Sequence, residues 1–222
     1  MRVTALVPMR HESERVPGKN YRPFNGKPLC HYVLEMLQDV PQVERIVVDT
    51  DSPVIRSYCS LTFPDIVCLD RPKELCGGEV PMTEILRYDT QEFPSEWYLQ
   101  THSTNPLLKA RTVERAISHL TEALGDRDSL VSVSRLQARL FDSRGEPLNH
   151  DPLELKRTQD LPPVFIENSN LYVFTRDQIA DGRRFGRRPI FFELDPRESI
   201  DIDEEEDFVF AEEIHQIRRA ER

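Results

Sequence analysis

The sequence predicts a three-layer α/β domain built on a mainly parallel sheet. Short apolar runs alternate with helical patterns from residue 3 to about residue 133, as they do where strand and helix alternate. A chain of 222 residues suits one domain, 1–222, with room for a small insert and no more. Glycine is scarce at 8 and proline abundant at 17, so the connections are stiff.

Residues 3–7 read as a buried strand, followed by a long polar loop over 8–27. Residues 28–40 set Leu29, Tyr32, Val33, Met36, Leu37 and Val40 on one helix face, and Pro28 suits a first turn. Residues 46–49 form a second strand, and a helix starts near Ser52-Pro53. A third strand at 66–69, a helix at 81–91, a fourth strand at 97–100, a helix at 110–124 and a fifth strand at 129–133 complete the alternation. Residues 135–166 break it. They are polar, carry Gly145, Pro147, Pro152, Pro162 and Pro163, and read as a lid or an oligomerisation arm. Strand pattern returns at 170–174 and 190–193, a short helix capped by Thr175 runs to Ala180, and 207–219 closes the chain as a helix. Trp97 and Phe63 read as core, and His31 and His119 as surface or packing residues on helices. Ligands of a parallel sheet collect at the carboxyl ends of its strands. The loops of interest are therefore 8–27, 49–52, 70–80 and 101–109.

Acids number 39 against 29 Lys plus Arg, a net charge of −10, which disfavours a nucleic-acid partner. No apolar run approaches the ~20 residues of a membrane span. The first apolar stretch is too short for a signal peptide, so no membrane partner and a cytoplasmic address are expected. Cys30, Cys59, Cys68 and Cys76 form no C-x-x-C pair and are expected as reduced thiols in or near the core.

Two segments carry candidate chemistry. The first loop gathers Arg10, Arg15, Lys19, Arg22 and Lys27 in an otherwise acidic chain. Cations after the first strand suit a polyphosphate, and a solvated loop is the other reading. The Walker A and G-x-G-x-x-G patterns are absent. From residue 193 to 207, nine of fifteen residues are acidic. The alternation Asp201-Ile202-Asp203 turns both carboxylates to one face of an extended segment. Mg²⁺ binds such a pair together with substrate phosphates. Glu204 to Asp207 are expected to serve the N-terminus of the next helix. His102 reads as a ligand of sugar or base, or as a hydrogen-bonding loop residue. The basic cluster at 182–188 reads as a solvated turn, with anion or partner binding as the alternative.

Five segments, in order along the chain, carry a resemblance. They are R-H-E-S-E-R-V-P-G-K-N, L-D-R-P-K-E-L, L-Q-T-H-S-T-N-P-L-L, R-T-Q-D-L-P-P-V-F-I-E-N-S-N-L-Y and S-I-D-I-D-E-E-E-D. The chain resembles the acylneuraminate cytidylyltransferase family, which makes CMP-sugars from sialic acid and related 3-deoxy sugar acids. The resemblance implies a Rossmann-like nucleotidyltransferase with a small dimerisation arm at 135–166. It implies CTP and a sugar acid as substrates, release of pyrophosphate, Mg²⁺ as cofactor and a homodimer. Arg10, Ser13, Arg15, Lys19, Asn20 and Arg71 fall on the CTP site. Gln100, His102, Arg139 and Arg157 fall on the sugar side, and Asp201 and Asp203 on the metal. Glu14 stands where the family has a lysine, and Ser169-Asn170 is aligned with its N-G. The altered loop at 101–105 leaves the acceptor open: an unusual nonulosonic acid or a phosphonate also fits, as does a non-catalytic relative.

Overall fold

The structure is a computed structural model and describes residues 1–220. The chain runs through β1 (Val3–Leu6), a small hairpin of β2 (Pro23–Phe24) and β3 (Lys27–Pro28), α1 (Leu29–Gln38), β4 (Val43–Thr50), α2 (Pro53–Thr62), β5 (Val67–Asp70), α3 (Met82–Glu92), β6 (Trp97–Thr101) and α4 (Ala110–Glu122). It continues through β7 (Ser129–Leu136), β8 (Val164–Thr175), α5 (Arg176–Ala180), β9 (Pro189–Glu193) and α6 (Glu205–Ala220). Helix boundaries follow local chemistry. Ser52 caps α2, its hydroxyl accepting from the Ile55 N–H at 3.3 Å, with proline next in line. Thr175 and Gln178 form a reciprocal capping box on α5.

Seven strands form one sheet in the order β5-β4-β1-β6-β8-β7-β9. All neighbours pair in parallel except along β8, which runs antiparallel to both β6 and β7. The chain winds outward from β1 to β5, then returns to the other side of β1 with β6. That reversal opens a crevice at the carboxyl ends of β1 and β6. Alternate residues of the strands feed opposite faces. Ala5 and Val7 meet α1 and α4 through Val33, Leu37, Val113 and Ile117. Leu6 and Tyr98 meet α3 and α5 through Leu86 and Ile179 on the other face. A third cluster joins Val16, Phe24 and Leu29 to Ile202, Phe208 and Ala211, so α6 seals the loop after β1.

Three expectations change. The 8–27 loop is only partly polar surface: Val16 and Phe24 are buried, and β2 and β3 form a hairpin at its end. The excursion is narrower than 135–166, because β7 and β8 run into it as an antiparallel ribbon that ends at the Leu136–Val164 pair. The excursion itself spans 137–163. It is held largely by its own bonds, such as Asn149 donating to Ala138 O at 2.8 Å. Finally, the late strand starts before residue 170, at Val164, and its left-handed residue is Ser169, at φ 55°. The position suited to glycine is thus Ser169, with Asn168 before it. All four cysteines are free thiols, with Cys30 and Cys59 buried and Cys68 and Cys76 half-buried.

Candidate active site

A pocket of about 520 Å³ opens where β1 and β6 end, within the range of small-molecule sites. The loop after β1 makes one wall. Met9 N donates to Asp49 O at 2.8 Å, and His11 N donates to Asp51 Oδ1 at 2.7 Å. Gly18 takes a left-handed φ of 64° and packs so closely on Tyr21 that a Cβ would lie 2.8 Å from its ring. That turn places Lys19 and Asn20. Asn20 is buried; its Nδ2 donates to Arg10 O at 2.7 Å and its Oδ1 accepts from Ser103 Oγ at 2.5 Å. Asn20 therefore ties the first loop to the loop after β6. Arg10, Ser13, Arg15 and Lys19 line the wall with it, so five predicted loop residues converge. Glu14 lies there too, beside Arg10: a Cβ on Gly78 would stand 3.1 Å from Glu14 Oε1 and 3.5 Å from Arg10 Nη1. The missing side chain of Gly78 lets the loop after β5 approach both.

The opposite wall is the acidic segment. Ile202 is fully buried, and the carboxylates on either side of it both face the pocket. Ile202 N donates to Thr104 O at 2.9 Å, and Lys19 Nζ donates to Ile202 O at 2.5 Å. Asp203 pairs with Arg15 at 2.8 Å and lies 3.7 Å from Lys19 Nζ. Burial pulls the Lys19 pKa below its ordinary value, and Asp203 and Asp201 oppose that pull. Burial raises the Asp201 carboxyl, against a hydrogen bond from Thr104. The acids after Asp203 divide their work. Asp207 accepts from the N–H groups of Asp203 and Glu204 at the start of α6, while Glu204 and Glu205 pair with Arg15 and Arg22.

The fit to a divalent cation rests on two carboxylates. Among the described residues no cluster of three or more His, Cys, Asp or Glu is grouped to hold a metal. Two carboxylates suit Mg²⁺, which keeps waters and takes substrate phosphates as its remaining ligands. Asp201 Oδ1 is buried without a hydrogen-bond partner, an acceptor that a cation would satisfy.

At the floor, Arg71 is buried and clamped. Its Nε donates to Asp49 Oδ1 at 3.0 Å and its Nη2 to Asp49 O at 3.1 Å, leaving Nη1 without a protein partner in a residue that lines the pocket. The remaining end is formed by His102, Ser169 and Arg184. Gln100 is fully buried behind them. Its Nε2 is 2.7 Å from His102 Nε2, and its Oε1 accepts from Arg184 Nη2 at 2.7 Å.

Arg139 and Arg157 stand apart. Arg139 donates to Lys156 O within the arm, and exposed Arg157 pairs with Asp160 at 2.8 Å. Neither lines this chain's pocket. Arg184 lies in the run read first as a solvated basic turn, with anion binding as the alternative, and it lines the pocket. The signal was that run's mixture of Phe185 and Gly186 with arginines, which lets part of it fold inward. Phe185 packs on the β6–β8 face of the core.

A three-layer fold with a cationic loop after β1 facing a carboxylate pair suits a nucleotidyltransferase, and the family match makes the protein an enzyme of that class. A family profile described as Cytidylyltransferase matches residues 4–221, and the chain belongs to that family. It is 29% identical to the CMP-N,N'-diacetyllegionaminic acid synthase of Legionella pneumophila, over 99% of this chain and 98% of that one. It is 25% identical to the N-acylneuraminate cytidylyltransferase A of Danio rerio over 95% of this chain, and spans 50% of that protein. Among solved structures, a CMP:2-keto-3-deoxy-manno-octonic acid synthetase complexed with CTP superposes with a TM-score of 0.72, covering 98% of this chain and 100% of that one. At 14% identity, that likeness speaks for the fold.

Proposed function

We propose that the protein couples CTP to a 3-deoxy-ulosonic sugar acid, giving the CMP-sugar and pyrophosphate. One observation carries the reading: Arg10 and Lys19 on one wall of the pocket face Asp201 and Asp203 on the other. This stands on a chain aligned end to end with a CMP-legionaminic acid synthase.

In this reading Arg71 and Asn20 hold the nucleoside side, and Arg10 and Lys19 hold the departing pyrophosphate. A hydroxyl of the acceptor attacks the α-phosphorus as the bond to pyrophosphate breaks. No protein nucleophile is needed, so positioning and charge account for the rate. Lys19 is fitted to this role by its bond to Ile202 O, which fixes its ammonium between the two walls. Asp201 and Asp203 would hold Mg²⁺, which supplies charge to offset that on the phosphates.

The reading extends to the arm. Residues 137–163 expose Phe141, Leu148, Leu153 and Leu155, with Leu153 94% exposed. A second copy of the chain would cover this surface and bring Arg139 and Arg157 toward a neighbouring site.

The test is a pyrophosphate-release assay with CTP, Mg²⁺ and a panel of 3-deoxy-ulosonic acids. Release with CTP and at least one sugar acid, well above that with ATP or GTP, is expected. Equal turnover of all three nucleotides, or none with any sugar acid, would sink the proposal.

A further inference from the structure

We propose that Arg184 binds the carboxylate of the acceptor, with Gln100 and His102 as positioning residues behind it. The inference rests on the sugar-acid reading above and deepens it.

The pocket is lined by five cations. Arg15 and Lys19 face Asp203, and Arg71 faces Asp49. Arg10 and Arg184 enter no ion pair among the described residues. Arg10 belongs to the phosphate-side loop. Arg184 sits elsewhere, in the turn after α5, half-buried, with its guanidinium 3.9 Å from the centre of the Tyr172 ring.

Its immediate partners are neutral. Gln100 accepts from it, and His102 Nε2 lies 3.3 Å away. An amide nitrogen can only donate, so Gln100 Nε2 donates to His102 Nε2, and the imidazole carries its proton on Nδ1. Burial and the neighbouring guanidinium push the His102 pKa down to about 3, so the ring is uncharged in the working range. Glu167 acts on Arg184 through space, but its carboxylate is engaged by the Tyr172 hydroxyl. Arg184 Nε is buried without a partner. A guanidinium held among an amide, a neutral imidazole and an aromatic face has no carboxylate in contact, and Glu167 reaches it only through space. Holding it away from water costs free energy that an incoming anion would offset.

The topology says which anion. Arg71 follows β5, whereas Arg184 lies over β6 and β8 through Gln100 and Tyr172. The sheet order puts β5 and β8 four spacings apart, roughly 19 Å at ~4.8 Å per spacing. Arg10 and Lys19, after β1, lie between. A nucleotide held by Arg71, Arg10 and Lys19 leaves Arg184 without an anion. The second substrate must supply it, and a planar carboxylate matches the fork of a guanidinium. His102 and Gln100 hold that fork in place.

The experiment compares a sugar acid that the wild type turns over with its C1 carboxamide, using wild type, Arg184→Met and Arg184→Lys. Wild type should prefer the acid. Arg184→Met should raise the sugar KM roughly 10- to 100-fold, as for loss of a charged hydrogen bond. It should also erase the preference for acid over amide while leaving the CTP KM nearly unchanged. Arg184→Lys should restore part of the preference. An unchanged sugar KM with the preference intact would overturn the proposal. A parallel rise in the CTP KM would also overturn it, since it would assign Arg184 to the nucleotide. Should Arg184→Met fail to fold, the wild type decides alone: equal use of acid and amide sinks the proposal. If the wild type turns over no sugar acid at all, the function reading falls, and this inference with it. Turnover by wild type with an unaltered sugar KM in the variant removes this inference only.

Discussion

Asp89 shows how much a single residue's meaning depends on its surroundings. In sequence it is one acid in a helix; in the fold it is fully buried against Asp49, behind Arg71. Two carboxylates and one guanidinium would leave a net buried negative charge, so the pair holds a proton. Burial, then Asp49, raises the Asp89 pKa well above its ordinary value. The folded state therefore binds more protons than the unfolded one. Stability is greatest below the unfolded value of ~3.9 and is lost as pH rises toward the raised folded value. Asp89→Asn mimics the protonated acid. Its melting temperature should match wild type in acid and exceed it increasingly toward pH 8. A variant that loses stability at every pH would show instead an ionised acid at work. Asp203→Asn tests the metal reading. Asp203 is half-exposed and bonded to Arg15, so melting without metal should change little. Turnover should fall roughly 100- to 1000-fold, since charge on a transferring phosphoryl group is worth several kcal/mol. Lost stability with preserved turnover would reassign the acid to the helix start. The spacing of Asp201 and Asp203 was legible because period 2 shows in sequence. The basic run at 182–188 was legible as a candidate anion site, but not which arginine turns inward, because the partners of Arg184, Gln100, His102 and Tyr172, come from other strands and loops.

At the scale of elements, the helices and parallel strands were readable because each has its own apolar period. The β7–β8 ribbon was not. Its outer half carries Arg135, Glu167 and Asn168 and pairs through backbone bonds that leave no pattern of side chains. The arm beyond it exposes Leu153 at 94% and Leu155 at 83%. If a second copy covers them, Leu153→Asp with Leu155→Asp should give a monomer by light scattering at micromolar concentration, while wild type gives a dimer. Sugar KM should rise in the monomer more than CTP KM, because Arg139 and Arg157 would no longer reach a partner's pocket. A wild-type monomer with full activity would count against the arm's role.

At the scale of the molecule, the alternation announced the layers but not the direction of β8, since an apolar run reads the same both ways. The pocket crosses the sheet where the chain reverses, so a nucleotide there bridges loops from three strands. Binding should raise the melting temperature by mass action. At a CTP concentration of 100 Kd the gain is ~2.7 kcal/mol, or roughly 5–10 °C for a chain of this size. A shift with ATP as large as with CTP would contradict the proposed base preference. No helix among the described residues is long and apolar enough to cross a membrane.

The seal made by α6 has a consequence for how the protein is born. Phe24 packs edge-on against Phe208, with centroids 5.6 Å apart, and Arg22 clasps Glu205. Asn25 donates to Glu212, from both its backbone and its side chain. The loop after β1 is thus fastened by a segment synthesised about 180 residues later. At about 5–20 residues per second, the early strands have roughly nine seconds or more to pair before the loop after β1 meets its partner. Until then Val16 and Phe24 lack the cover of Ile202, Phe208 and Ala211. A nascent chain stalled before residue 200 should be protease-sensitive at residues 10–27 even where β1, β4 and β6 are already paired.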